Sequence, residues 1–182
     1  AELMVGSELP KPDTTESTVT AEVALSVSGL TVIEDERVVV ENVSLAIHRG
    51  EIVGIAGVEG NGQSELIGAV IGTEALAGGT IELMGHDITH WSVRQRREAG
   101  VGYIPQDRHA EGLLLNSPLW ENAALGHQTQ RPYAKGWWID RKGSRDQTQR
   151  IREEFNVKTP NVEVAAHALS GGNQQKFVVG RE

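Results

Sequence analysis

Hydrophobic positions change period several times along the chain, and each change marks an element. Val23, Leu25 and Val27 alternate with polar residues, which predicts a half-buried strand. Val38 to Val40, then Val43, Leu45 and Ile47, continue the β pattern, and His48-Arg49-Gly50 turns the chain. Ile52 to Ala56 is a nearly unbroken apolar run, the signature of a strand buried on both faces of a parallel sheet. After a glycine-rich turn, Leu66, Ile67, Val70 and Ile71 recur at helical spacing, and Gly72 follows as the terminating residue. Past Gly78-Gly79, Ile81 and Leu83 alternate again, and Gly85-His86-Asp87 supplies a turn. The whole predicts an α/β fold with an antiparallel β layer beside a parallel core.

Arg94 to Glu98 reads as a short exposed helix whose charges form a solvated face. Val101, Tyr103 and Ile104 predict a second buried strand, closed by Pro105, with Gln106 just beyond its carboxyl end. Ligands of open α/β sheets sit at that edge, although a lone glutamine there also serves as an ordinary turn residue. From Ser117 the pattern turns helical: Ser117 caps, Pro118 suits the first turn, and Trp120, Ala123, Ala124 and Leu125 follow. A loop with Pro132, Gly136, Trp137 and Trp138 intervenes, its tryptophans expected to pack between helices. Asp140 caps a second helix with Gln147, Ile151 and Phe155 on one face, and Pro160 ends the region. Residues 116–168 thus form a helical subdomain.

Residues 6–21 are polar, carry two prolines and offer almost nothing to bury, so they read as a linker; residues 1–5 look like the tail of a preceding domain. A domain begins at Glu22. With 182 residues the chain supports one sizeable core. Seventeen basic against 25 acidic residues leave a net charge of -8, which argues against a nucleic-acid surface. Cysteine is absent, consistent with a reducing compartment. No apolar run reaches the roughly 20 residues that span a bilayer, so a membrane role must come through a partner. His86 and His90 flank a turn and read as surface histidines rather than metal ligands.

Chemistry concentrates in GVEGNGQS, Gly57 to Ser64, set between the apolar run and the helix. Glycine-rich turns often only reverse the chain, but strand, glycine loop and helix together are the context of a phosphate-binding loop. Gly57, Gly60 and Gly62 let backbone N–H groups approach phosphate oxygens, and the Ser64 hydroxyl would reach Mg²⁺. The pattern GxxxxGK[ST] calls for lysine where this chain has Gln63. A dinucleotide fingerprint does not fit, because Glu65 stands where its third glycine belongs. Near the other end, ALSGGNQQKFVVG places Ser170 as a helix cap with Gly171 and Gly172 leaving the first N–H groups open. That arrangement binds anions, or is an ordinary serine-capped helix.

Together, the glycine loop, Gln106, the helical region and LSGGNQQK resemble the ATPases of ABC transporters. Within that family GVEGNGQSEL, YIPQDR and LSGGNQQK are most similar to the second half of tandem ATPases serving sugar and nucleoside importers. The resemblance implies a P-loop NTPase fold of ABC type over residues 22–182, with ATP and Mg²⁺ as cofactors. It implies that Gly57, Val58, Glu59, Gly60, Asn61, Gly62, Gln63 and Ser64 hold phosphates, and that Ser64 and Gln106 attend the metal. Gln106 would begin the loop that senses the membrane subunit. Leu169, Ser170, Gly171, Gly172, Asn173 and Gln174 would address ATP held by a second nucleotide-binding domain, the amino-terminal one of the same chain. Further implied partners are transmembrane permease subunits and, indirectly, a solute-binding protein, at the cytoplasmic face of the plasma membrane.

Three departures matter. A phosphate-loop lysine makes a charge-assisted bond contributing about 1.5–3 kcal/mol, which a glutamine amide does not match. The adenine-stacking aromatic of the family should fall near Glu34, yet no aromatic occurs between Leu25 and Glu51. The chain also reaches Glu182 without the strand bearing the family's paired acidic residues, and without its switch histidine. The core is therefore expected to be incomplete, leaving parallel strands without neighbours and the isolated chain marginal, swapped or prone to aggregate. The expected role is asymmetric, with Ser170 to Gln174 contributing more than the loop around Gln63. A nucleotide sensor without turnover and a purely structural partner of the membrane subunit are the rival readings.

Overall fold

The computed structural model describes residues 16–58 and 60–182. The expected tail at 1–5 and most of the linker lie outside them. The chain divides between His90 and Trp91 into two compact units.

The first unit is built on strands β1 (Val23–Glu34) and β2 (Arg37–His48), an antiparallel hairpin that pairs Leu25 with Ile47, Val27 with Leu45 and Val32 with Val40. β3 (Gly78–Leu83) joins the other edge of β1, pairing Val27 with Ile81, and the two-residue strand β4 (His86–Asp87) follows it. The sheet order is β2-β1-β3-β4, antiparallel throughout, as the alternation predicts. One bulge changes the phase. Val27 and Leu30 are both buried although three residues apart, and the ladder shifts between them at Gly29, where φ is +60°. The extra residue re-aims Leu30 and Val32 into the core beside Val40, Ile81 and Ile88. Helix α1 (Gln63–Ile71) packs against β1 and β2, burying Leu66 and Ala69, and ends at Gly72 in the left-handed conformation as expected.

The expected strand at Ile52–Ala56 does not form a ladder. Ile52 is 97% exposed, and Val53 and Ile55 are exposed with it. A parallel strand has no local partner and forms only where distant strands flank it. Among the described residues none pairs with this stretch.

The second unit is mainly helical: α2 (Val93–Glu98), α3 (Leu119–Ala124), α4 (Arg141–Glu154) and α5 (Gly171–Arg181), with a hairpin of β5 (Ala134–Lys135) and β6 (Trp138–Ile139). Leu119, Ala123, Tyr133, Ile151, Val157, Leu169, Phe177 and Val178 form its core. Several expectations are corrected. The Val101–Ile104 stretch joins no strand ladder, for the same reason as the first, and Ile104 is exposed. α2 is not wholly a solvated face: Arg96 is buried and donates to the Trp91 carbonyl at 3.1 Å. Ser117 makes no side-chain cap; α3 begins after Pro118, and the buried Asn122 secures the approach instead. Its amide nitrogen donates to the carbonyls of Leu114, Ser117 and Pro118 at 3.0–3.1 Å, and its oxygen accepts from the Leu114 N–H at 2.7 Å. Asp140 does cap α4, accepting from the Gly143 N–H at 3.0 Å. The buried face of α4 is Ser144, Thr148 and Ile151, with Phe155 packed at its edge. Trp137 and Trp138 are 101% and 80% exposed, not packed between helices, because the turn at Gly136 carries them outward while Tyr133 enters the core.

Candidate functional site

The glycine loop lies wholly in the first unit. It leaves the unpaired stretch at Gly57 and enters α1 through Gly62, whose φ of +89° and close approach to the Val39 carbonyl exclude a side chain: an added Cβ would stand 2.4 Å from that oxygen. Gln63 is the first residue of α1. Its amide folds back into the loop and donates to the Val58 carbonyl at 3.1 Å, an oxygen that also accepts from the Asn61 N–H at 3.2 Å. The same amide nitrogen lies against Gly57, where a Cβ would come within 1.8 Å of it. The side chain at the lysine position thus braces the loop rather than extending from it. Asn61 and Ser64 are exposed, and Gly60 has open space where a Cβ would be. Small residues and an exposed hydroxyl fit a phosphate group; the charge is the part that does not fit. Glu59 lies outside the described residues.

Glu34 ends β1 at the hairpin turn and is exposed. His86 and His90 are exposed as expected. Among the described residues no cluster of three or more His, Asp or Glu side chains is arranged to hold a metal ion. The two residues expected at Mg²⁺ fall in different units, Ser64 in the first and Gln106 in the second.

In the second unit Gln106 is exposed on a bend. Asp107 then caps a single wide π-type turn, Arg108–Gly112, accepting from the N–H groups of His109 at 2.9 Å and Ala110 at 3.1 Å. The Ala110 and His109 amides hold its carboxyl below the ordinary aspartate range.

Around LSGGNQQK the structure separates residues that stand side by side in the motif. Leu169 is a core residue. Ser170, Gly171 and Gly172 are exposed at the start of α5. Ser170 is the N-cap by position, but its hydroxyl accepts from the Asn173 side chain at 3.0 Å instead of a backbone N–H. The Asn173 oxygen accepts from the Lys158 N–H at 2.8 Å. Gln174 is 5% exposed and points inward. Its oxygen accepts from His109 Nε2 at 2.8 Å and Arg108 Nε at 3.3 Å, and its nitrogen donates to the Ala166 carbonyl at 3.1 Å.

Sequence reasoning missed a charged cluster at the far end of the same helix. Glu182 bridges Arg97 at 2.8 Å and Arg181 at 2.9 Å and accepts from the Tyr103 N–H. Burial pushes its carboxyl up, and the bonds from Arg97 with the charges of Arg181 and Arg97 outweigh that and hold it below its ordinary value. Nothing in the spacing of Arg97 and Glu182 signals this, since the pair is 85 residues apart.

A glycine loop opening a helix and a glycine-rich helix start after a helical subdomain are the marks of a P-loop NTPase of the ATP-binding cassette class. The chain belongs to the ABC transporter family, which it matches over residues 40–182. It is 44% identical to the guanosine import ATP-binding protein NupO of Bacillus subtilis (strain 168), an alignment covering 100% of this chain and 36% of that protein. It is 37% identical to the nucleoside import ATP-binding protein NupA of Lactococcus lactis subsp. cremoris (strain MG1363), over 100% and 36% of the two chains. A ribose import ATP-binding protein, RbsA 1 of Streptomyces avermitilis, is 35% identical over 98% of this chain and 33% of its own length. The chain therefore spans about a third of the length of these relatives. The fold likewise matches the crystal structure of the ADP conformation of an ATP-binding cassette of an ABC transporter, with a TM-score of 0.70 at 21% identity over 87% of this chain and 63% of that one. Among the described residues no helix is long and apolar enough to cross a membrane.

Proposed function

We propose that the chain is nucleotide-binding machinery from the second half of a tandem importer ATPase, which couples ATP binding and hydrolysis to uptake of a nucleoside or sugar. In this reading residues 22–182 belong to the second nucleotide-binding domain. Its partners are the first such domain of the same polypeptide and the permease subunits at the cytoplasmic face of the membrane, with a solute-binding protein acting through them. The names of the relatives support the solute class. LSGGNQQK supports the assignment to the second half.

The two motifs contribute unequally. The observation that carries this is the Gln63 amide, which is committed to the Val58 carbonyl and brings no positive charge, while Ser170, Gly171 and Gly172 stand open at the start of an 11-residue helix. Ser170 to Gly172 serve ATP held by the other half, with Mg²⁺ as the metal. The loop at Gly57–Ser64 contributes little to turnover, because negative charge building on a transferring phosphoryl group needs cations that a neutral amide does not supply. In the full-length ATPase, Ser170→Arg is expected to abolish hydrolysis and Gln63→Ala to change it less than threefold; the reverse ranking would refute the asymmetry.

A second reading, a nucleotide sensor without turnover, draws on the exposed Ser64 and the open space at Gly60. Calorimetric titration of the full-length protein with Mg-ATP separates the two. A second tight site that Gln63→Ala removes favours sensing.

A further inference from the structure

Gln174 belongs to a motif that the family resemblance turns toward nucleotide, yet its side chain is buried and makes three hydrogen bonds within its own unit. Two of the three go to Arg108 and His109, consecutive residues of the turn that follows Gln106. Seven residues further along α5, on the same face of the helix, Arg181 Nη1 donates to the Gly112 carbonyl at 2.7 Å. The turn is therefore fastened to α5 at both of its ends, through Arg108 and His109 to one end of the helix and through Gly112 to the other.

The turn is itself stiff. Asp107 ties its first residues, and Gly112 packs back onto Pro105, where a Cβ would meet the ring at 3.0 Å. Residues 105–112 form a small block with Gln106 on its outer surface. At the other end of the joint, the Arg108 guanidinium reaches to within 3.0 Å of where a Cβ on Gly171 would be. A side chain at Gly171 would press on the tip of Arg108 and shift it by a few tenths of an ångström.

We propose that Gln174 and His109 are positioning residues. They form a joint through which the block carrying Gln106 and the helix carrying Ser170, Gly171 and Gly172 move as one body. Two attachments about two turns apart resist relative rotation in a way that one does not. A load applied beside Gln106 then re-aims the start of α5 without passing through the backbone of the intervening subdomain. An amide suits this position because it accepts from two donors and gives one bond inward, so its buried oxygen and nitrogen are both paired.

The joint is tested first without reference to catalysis. Hydrogen–deuterium exchange on the full chain should show amides 108–112 and 171–175 opening together. In Gln174→Leu both segments should exchange at least tenfold faster, with β1–β3 unchanged. His109→Ala provides the same comparison should the leucine variant not fold. Acceleration confined to one segment, or none in either, overturns the joint. The second test rests on the importer reading. In the complete transporter ATPase, His109→Ala should leave basal hydrolysis within twofold and lower the solute-stimulated rate about fivefold or more. His109→Gln, which keeps a donor, should restore at least half of that loss. Equal losses in both rates, or no loss in either, overturn the coupling role. A wild-type protein that hydrolyses no ATP counts against the functional reading alone, and the exchange experiment still decides the joint.

Discussion

Gln63 sits where a lysine would extend toward phosphate, and its amide instead closes the loop on the Val58 carbonyl. Two consequences follow for substitution. Gln63→Lys removes the amide's bond to that carbonyl, which keeps the Asn61 N–H, and adds a charge-assisted donor, so the loop's affinity for Mg-ATP in the full-length ATPase should rise about tenfold by titration calorimetry. Gly57→Ala forces the amide out, since the new methyl would overlap it, and the lost hydrogen bond should cost about 1 kcal/mol in urea unfolding. The absence of lysine is visible in the sequence alone. The bond that takes its place is not, because a glutamine amide reaches donors and acceptors in many directions and only the folded loop fixes which. Gln174 makes the same point from the other side. Its place in LSGGNQQK reads as exposed chemistry, but helical phase turns it inward while Ser170 and Gly171 stay open.

At the level of elements, local signals are legible where the partner is near in sequence. Asp140 caps α4, Gly72 ends α1, and the alternation of Val23, Leu25 and Val27 marks β1. Signals fail where a residue outside the expected cap satisfies the backbone. Ser117 carries the expected capping chemistry, yet Asn122 holds the approach to α3 with four hydrogen bonds at full burial. Asn122→Ala should leave the buried Leu114 N–H without its acceptor, while the Leu114, Ser117 and Pro118 carbonyls keep their backbone partners, and should cost about 2 kcal/mol by urea denaturation. The turn at Arg108–Gly112 depends on pH in a definite direction. Because the Asp107 carboxyl is depressed by the Ala110 and His109 amides, its contribution is present above the ordinary aspartate value of 3.8 and is lost as pH falls through the depressed folded value. Amide exchange in residues 108–112 should therefore accelerate in that acid window, beyond its intrinsic rate. Asp107→Asn should remove the dependence.

For the molecule as a whole, the antiparallel layer and the helical subdomain are readable because their contacts are largely between neighbours in the chain. The parallel core that the apolar runs predict does not form among the described residues, because pairing there depends on strands far apart in sequence. Ile52, Val53 and Ile55 in one unit, and Ile104 in the other, are left on the surface. Exposed apolar stretches outside any strand ladder are templates for association. The 182-residue chain should self-associate at tens of micromolar in sedimentation, and Ile52→Lys with Ile55→Lys should suppress this without lowering the melting temperature, since neither side chain contributes to the core. The candidate chemistry is divided in the same way. Each unit holds one exposed cluster, and each is legible as a motif while its orientation is not.

The outward turn at Gly136 has a practical result. Of the four tryptophans, the two neighbours at its tip face water and Trp120 is enclosed, donating to Glu163 under the Arg145 guanidinium. Emission from the native chain should thus already be red-shifted, and denaturant should move its maximum little. Quenching by iodide would report the tip, and a docking partner that dries those indoles would announce itself as a blue shift with no added dye.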